Sequence, residues 1–281
     1  MKAQQASTTA KLIAAAMVML HNDPRTRSLV AAEAAELSER CLGGGDRWLA
    51  VSARHPASRA GWLALERMVL PGIVRHFALR KRWIERQCRA AIGDGATRII
   101  VLGAGFDALG YRLGLENDRV DVIEIDHPAT QAAKRAAVES LAPQPLRFFA
   151  CDLGHENLPA MLMNDPRKTV VIAEGLLMYL GETTVGRLFD QARSLSPAGV
   201  QFIFSHLVLW PSGRAGLRPC SRAINAWLAW RGEPFTWAIA PQRVPALLHR
   251  HGFTLIDSAT PADLADGVTL QGENLVSCRA L

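Results

Sequence analysis

Gly103-Ala104-Gly105, the adjoining Asp107, and the pair Glu124 and Asp126 about twenty residues further on are the residues whose types and spacing most directly imply chemistry. Glycines let a backbone approach a ligand closely. A carboxylate at the end of the following strand can grip both hydroxyls of a ribose. Together they read as a nucleoside-cofactor site at the carboxyl ends of parallel strands. Only one of Glu124 and Asp126 is expected to hold the ribose, and the turn after the strand decides which. The other is expected in an ion pair facing a helix.

The choice of cofactor turns on Asp107. The dinucleotide pattern G-x-G-x-x-[GA] is formally met, with Ala108 in the last place. Yet Asp107 stands where a helix N-terminus would face a pyrophosphate, and a carboxylate there repels one. About ninety residues also precede the unit, whereas a dinucleotide-dependent dehydrogenase often opens with it. S-adenosyl-L-methionine (SAM) has no phosphate and carries a sulfonium and an ammonium, which an acidic residue beside the glycine loop suits. The residues favour SAM over NAD. The plain alternative is a glycine turn that binds nothing.

These residues need a scaffold of alternating strands and helices. Apolar, β-branched runs predict strands at Arg98–Leu102, Val120–Ile125, Leu146–Ala150, Val170–Ala173 and Gln201–Phe204. A helix is predicted over Thr183–Leu195, stopped by Pro197 and Gly199. This order implies an α/β fold, a doubly wound sheet with helices on both faces. Residues 1–90 show no strand alternation and read as a helical N-terminal cap; residues 91–207 form the Rossmann-like core. Residues 208–240 break the alternation and hold Trp210, Trp227, Trp230 and Trp237, which suggests an inserted substrate lid with an aromatic or lipophilic pocket, although core packing of the rings fits equally. Residues 241–281 return to the core with a helix over Gln242–His251 and strands Phe253–Ser258 and Leu275–Ala280.

Arg80 stands out on a helical wheel. Arg75, Arg82, Arg86 and Arg89 share one face, while Arg80 lies with Ile73, Phe77 and Ile84. A buried arginine needs a partner. The SAM carboxylate suits the guanidinium fork; a structural salt bridge to a core carboxylate is the alternative. Glu174-Gly175 ends the fourth strand, where the sulfonium should lie, so Glu174 can accept from the SAM ammonium or face the substrate. Tyr179 is expected near the pocket mouth or packed in the core, and His206, after the fifth strand, as a general base or a hydrogen-bonded turn histidine.

Several segments together resemble the leucine carboxyl methyltransferase family, class I SAM-dependent enzymes that include bacterial small-molecule O-methyltransferases. They are Gly103–Leu113, Ile123-Glu-Ile-Asp-His-Pro128 with Lys134-Arg135, Cys151-Asp-Leu153, Ala173–Leu180 and Phe77-Ala-Leu-Arg80. The likeness covers roughly residues 70–281. It implies the seven-stranded class I methyltransferase sheet, closed by an antiparallel hairpin. It gives the cofactor carboxylate to Arg80, the ribose to Asp126, the adenine amino group to Asp152 and the adenine face to Leu153; an N-cap role is the alternative for Asp152. The chain departs at Ala108, where many members carry threonine, so one hydroxyl contact to the cofactor is missing.

Bulk properties narrow the remaining classes. The chain has 281 residues, about half of them apolar, and a formal net charge of +6. Much of that charge sits in Arg75, Arg80, Lys81, Arg82, Arg86 and Arg89, which read as a solvated helix face without the interleaved aromatics of a nucleic-acid surface. Cys41, Cys88, Cys151, Cys220 and Cys278 are scattered and odd in number, as expected of reduced thiols in a cytoplasmic protein. No histidine spacing suggests a metal. The apolar run Leu12–Leu20 lacks a small-x-small cleavage site and reads as an amphipathic cap helix rather than a signal peptide, and nothing is long enough to span a membrane.

The function expected is SAM-dependent transfer of a methyl group to a hydroxyl or carboxyl oxygen of a small molecule. Tyr179, His206 and Glu174 are the base candidates for a hydroxyl; a carboxylate needs none. The alternatives are carboxyl methylation of a protein C-terminus, a non-catalytic SAM-binding protein, and an NAD-dependent dehydrogenase. The oligomeric state is left open.

Overall fold

Ile99-Ile100-Val101-Leu102 is apolar on both sides of a strand and therefore needs cover on both faces of its sheet. The computed structural model, which describes residues 6–139, 141, 145–219, 222–265 and 268–281, supplies that cover. The strands are β1 (Arg98–Leu102), β2 (Asp121–Asp126), β3 (Leu146–Ala150), β4 (Thr169–Ala173), β5 (Val200–Leu207), β6 (Phe253–Ala259) and β7 (Glu273–Ala280). They form one seven-stranded sheet in the order β3-β2-β1-β4-β5-β7-β6. β1 to β5 are mutually parallel, and β7 inserts antiparallel between β5 and β6.

The helices are α1 (Thr8–Asn22), α2 (Ala32–Cys41), α3 (Arg47–Arg54), α4 (Pro56–Val69), α5 (Ile73–Gly93), α6 (Leu109–Glu116), α7 (Pro128–Glu139), α8 (Glu182–Arg193), α9 (Arg222–Arg231), α10 (Val244–Arg250) and α11 (Pro261–Leu264). The period-two alternation sorts strand side chains onto two cores. Ile99, Val101, Val122, Ile172 and Ile203 face α1, α2, α3, α5, α6 and α7. Ile100, Leu102, Ile123, Phe202 and Phe204 face α8 and α10. Among the described residues no helix is long and apolar enough to cross a membrane.

Two boundaries differ from the sequence reading in ways that matter for the site. β2 runs one residue further than expected, so Asp126 is its last residue. β5 continues through Ser205, His206 and Leu207 because β7 starts at Glu273 and pairs with it there. Local propensity ends that strand at Phe204; the pairing that extends it comes from residues seventy positions away. The predicted helix over residues 242–251 begins with a 3-10 turn, Pro241–Arg243, before α10. Cys220 lies outside the described residues; Cys41, Cys88, Cys151 and Cys278 are free and buried.

Candidate active site

From β1 the chain winds to β2 and β3 on one side, and from β4 to β5 on the other. Ligands of open α/β sheets bind beyond the strand ends at such a reversal. A cleft of about 420 Å³ opens there, within the range of small-molecule sites. Its lining includes Gly103, Ala104, Gly105 and Asp107 after β1, Asp126 at the end of β2, Asp152 and Leu153 after β3, and Glu174 and Tyr179 after β4.

The glycine loop is tight for a steric reason. Gly103 and Gly105 have φ of +63° and +53°, a region that disfavours side chains. A Cβ at Gly103 would lie 2.8 Å from Leu176 Cδ1. Asp126 fixes the loop. One of its carboxylate oxygens accepts from the Gly105 N–H at 2.5 Å and the other from the His127 N–H at 2.6 Å. Burial raises its pKa, opposed by these two donors. A carboxylate has about four acceptor sites, so capacity remains for a ligand. Asp152 accepts from the Gly154 N–H at 3.0 Å and pairs with His155 Nδ1 at 3.0 Å, a turn-capping geometry that still leaves it facing the cleft.

The cleft floor is a chain of buried charges. From α5, Arg80 Nη1 donates to both oxygens of Glu273 at 2.6 and 2.8 Å, and its Nε donates to Glu174 at 2.9 Å. His76 Nε2 lies 2.8 Å from the other side of Glu273. Lys81 bridges Glu174 at 2.9 Å and Asp107 at 3.0 Å. Burial works against the charge on Arg80, yet Glu273 and Glu174 outweigh it and raise its pKa. Burial likewise raises Glu273, but Arg80 and His76 hold it well below the usual carboxylate range. Burial penalises Asp107 too, and Lys81 and Lys134 lower it nonetheless. One oxygen of Glu174, Oε2, is buried with no hydrogen-bond partner.

The roof comes from residues far apart in sequence. Glu233, after α9, accepts from the N–H groups of Thr8 and Thr9 at 2.9 and 3.2 Å and from the Thr9 hydroxyl at 2.5 Å. Arg231 adds a bond from Nη2 to the Thr8 hydroxyl at 2.7 Å. An acidic residue against the first turn of a helix satisfies orphan donors and complements the dipole. Ser7 closes the opposite edge by donating its N–H to the Thr130 hydroxyl on α7. Tyr179 hangs beneath this roof, beside Thr9 and Glu233, its pKa pushed up to about 12 by burial.

Three candidate residues or segments do not take the cofactor or substrate role considered for them. Glu124 does not reach the cleft: it lies in the core beneath α6 and α7, paired with Lys134 at 2.6 Å, because it sits two residues inside β2, whereas Asp126 on the same face stands at the strand end. His206 is not a turn residue. It sits inside β5 on the Phe204 side of the sheet, 1% exposed, with Nδ1 against the Leu207 carbonyl, and does not line the cleft, so it is not placed to act as base there. The tryptophans do not line the cleft either. Trp227 and Trp230 are exposed on α9, Trp237 is in the α8 core, and Trp210 donates to the Gly216 carbonyl. The segment instead contributes Gly232, Glu233, Pro234 and Thr236.

Sequence reasoning missed Lys81, Glu273 and Glu233. Nothing in the sequence separates Lys81 from the solvated arginine face, yet it adjoins Arg80 and lines the cleft half-buried. No local signal marks Glu273 or Glu233, whose partners lie more than 190 residues away.

The sequence profile of the leucine carboxyl methyltransferase family matches residues 3–193. This chain belongs to the leucine carboxyl methyltransferase family. The match takes in the helical N-terminus and ends with α8, whereas the motif likeness was expected over residues 70–281. A Mycolicibacterium gilvum relative, named for S-adenosyl-L-methionine-dependent methyltransferase activity, is 31% identical over 211 residues, 70% of this chain and 64% of its own length. One from Mycolicibacterium smegmatis, named likewise, is 37% identical over 134 residues, 45% of this chain and 43% of its own. The chain thus covers less than two thirds of these relatives. In fold it is similar to a methyltransferase structure from Thermobifida fusca, with TM-score 0.58 and 18% identity over 87% of this chain and 93% of the other. It is also similar to the pyocyanin biosynthetic protein PhzM, with TM-score 0.53 and 14% identity over 92% of this chain and 77% of the other. The fold is that of class I SAM-dependent methyltransferases. Every segment that carries the family likeness places a residue on the one cleft: Arg80, Gly103, Asp126, Asp152 and Glu174 all line it.

Proposed function

We propose that the chain is a SAM-dependent O-methyltransferase that acts on a hydroxyl of a small molecule. Two features of the cleft fit SAM. Carboxylates predominate along it: Asp107, Asp126, Asp152, Glu174 and Glu233 line it, while its cations Arg80 and Lys81 are each held by two carboxylates. That balance favours a cationic ligand without phosphates. Glu174 also offers a buried oxygen with no partner, at the β4 end where the ammonium would lie. Asp126 would take the ribose, Asp152 and Leu153 the adenine, and Arg80 would present its remaining Nη2 hydrogen toward the methionine carboxylate. When bound, SAM supplies an electrophilic methyl group on sulfur. The protein's task is then to hold an oxygen in line with it and to exclude water.

The observation that carries the choice of acceptor is the Tyr179, Thr9, Glu233 cluster under the roof. Thr9 donates to Glu233 at 2.5 Å, and Tyr179 lines the same part of the cleft as Thr9 and Glu233. For a hydroxyl acceptor this is a proton path: Tyr179 accepts the acceptor's proton while passing its own to Thr9, which passes one to Glu233. Each hydroxyl ends as it began, and the carboxylate holds the proton. An acceptor already ionised as a carboxylate would meet Glu233 as a like charge. The family match favours the second reading, a carboxyl acceptor.

The test is transfer of labelled methyl from SAM to a panel of phenols, alcohols, carboxylic acids and a peptide ending in leucine. A base-stable ether product, formed by wild type and reduced in Tyr179→Phe, supports the proposal. A methyl ester that releases methanol in mild base, with no ether, establishes the second reading. No transfer to any acceptor despite SAM binding removes both.

A further inference from the structure

The molecule has a second cavity that the methyl-transfer reading leaves unused. It measures about 730 Å³ and lies between α1, the 3-10 turn Arg27–Leu29, α5 and α6. Lys81 and Asp107 form a wall common to it and to the cofactor cleft. We infer that this groove binds a small organic phosphate, an apolar body bearing one or two phosphate groups.

The charge at the groove is not balanced from within the protein. Arg27, Arg82, Arg86, Arg89 and Arg112 all line it, with only Glu85 and Asp107 as acids. Both acids are already committed. Glu85 takes a bidentate pair from Arg112, at 2.7 and 3.0 Å, and a bond from Arg89. Asp107 takes Lys81. Arg89 and Arg112 are therefore neutralised, Arg89 also by Glu116 at 2.8 Å. Arg27 spends its Nε on the His21 carbonyl, and among the described residues no carboxylate pairs with it. Arg82 and Arg86, both exposed, have no hydrogen bond or ion pair to any described residue, whereas Arg80, Lys81 and Arg89 on the same helix are each matched by carboxylates.

The arrangement has a direction. Arg82 and Arg86 are one helical turn apart on α5, about 6 Å along the same face. Arg27 reaches the groove from the 3-10 turn that follows α1. Guanidinium forks match phosphate oxygens in pairs, and two forks one turn apart suit two phosphates or one held from both sides. Met17, Leu29, Val30 and Ala78 line the same cavity and would take an apolar body. A nucleic-acid surface would be an open stripe with stacking aromatics. This is a walled groove, and no Phe, Tyr or Trp side chain lines it; His21 Nδ1 is already engaged with the Val30 carbonyl.

Calorimetric titration of the full chain with pyrophosphate and with phenyl phosphate, at constant ionic strength, tests the inference. At least one probe should bind saturably with one-to-one stoichiometry. Arg82→Ala and Arg86→Ala should each weaken that binding by about tenfold or more. Arg75→Ala, exposed on the same helix but outside the groove, should leave it unchanged. All three side chains are exposed, so the variants should fold, which their melting temperatures check. Absence of saturable binding by both probes overturns the inference. So does equal weakening by Arg75→Ala, which would mean a diffuse field. Multi-site binding of a single-stranded oligonucleotide that displaces the bound probe would overturn it in favour of a nucleic-acid surface.

Discussion

Beneath the cleft, His76, Glu273, Arg80, Glu174, Lys81 and Asp107 form an unbroken series of contacts between α5, β7, β4 and the glycine loop. Above it, the first turn of α1 is held chiefly by one carboxylate, Glu233, with help from Arg231 and Thr130. The floor buries its ions where each carboxylate has a cation in contact and each cation is shared. The roof has one buried carboxylate, Glu233, held by hydrogen bonds from a helix end and not by a cation in contact. Buried ion pairs are costly to break one partner at a time; helix-end contacts are worth far less. The cleft therefore combines a rigid base with a cover that can be perturbed without unfolding the molecule.

The largest effect should come from removing the ion that joins the floor. Arg80→Ala leaves Glu273 and one side of Glu174 buried beside no guanidinium. The expected loss is about 3–5 kcal/mol of stability, read from urea unfolding, with loss of SAM affinity in whatever remains folded. Arg86→Ala, exposed on the opposite face of α5, should leave both quantities unchanged. Comparable losses from the two would break the distinction between a buried floor and a solvated helix face.

Much of this floor was legible in the sequence, and its limits are physical. Local signals place Gly103, Asp126, Asp152 and Glu174, because each sits at the end of an apolar strand run and the sheet order brings strand ends together. The wheel placed Arg80 on the inner face of α5. Its partner Glu273 was out of reach, since nothing within β7 signals a contact 193 residues away. For the same reason the end of β5 was misjudged, and with it the environment of His206. The roof was harder. The tryptophans of residues 208–240 drew attention as large apolar rings, whereas the residues that meet the cleft are the small and polar Gly232, Glu233, Pro234 and Thr236.

Acid should weaken the floor through Glu273. Its folded-state pKa lies below its ordinary value of 4.5, because Arg80 and His76 outweigh burial. Its contribution is thus fully present above about pH 4.5 and is lost as pH falls below that. Asp107 adds in the same sense. Glu124 and Asp126 are raised by burial, so their protonation in acid partly offsets the loss. Glu273→Gln should be less stable than wild type near neutral pH, and the gap should narrow steadily as urea midpoints are taken toward about pH 3. A gap independent of pH would mean that the Glu273 charge is not what holds the floor.

The roof should respond more gently. Glu233→Gln keeps the side-chain shape but removes the charge facing the first turn of α1. The expected cost is about 0.5–2 kcal/mol, confined to that turn, and seen as faster amide hydrogen exchange at Thr8 and Thr9 with little change in global unfolding. SAM affinity should stay near wild type, while methyl transfer to a hydroxyl acceptor falls, because the variant both loosens the cover and removes the proton's destination. Global destabilisation on the scale of Arg80→Ala would show that roof and floor are one cooperative unit.

Trp230→Ala should do least. Trp230 is 72% exposed on the outer side of α9, and its ring touches the guanidinium of its own neighbour, Arg231, at 5.6 Å from the centroid. An exposed cation–π contact is worth about 0.5–1 kcal/mol, and surface substitutions generally fall within about 0.5 kcal/mol. Arg231 retains its bonds to the Thr8 hydroxyl without the ring, so the roof should keep its anchorage. Unchanged melting temperature and unchanged methyl transfer are therefore expected, in contrast to Glu233→Gln only three residues along. A clear loss of transfer with stability intact would reverse the picture. It would mean that α9 turns its tryptophan face toward the acceptor during turnover, and that the roof is a moving lid rather than a fixed cover.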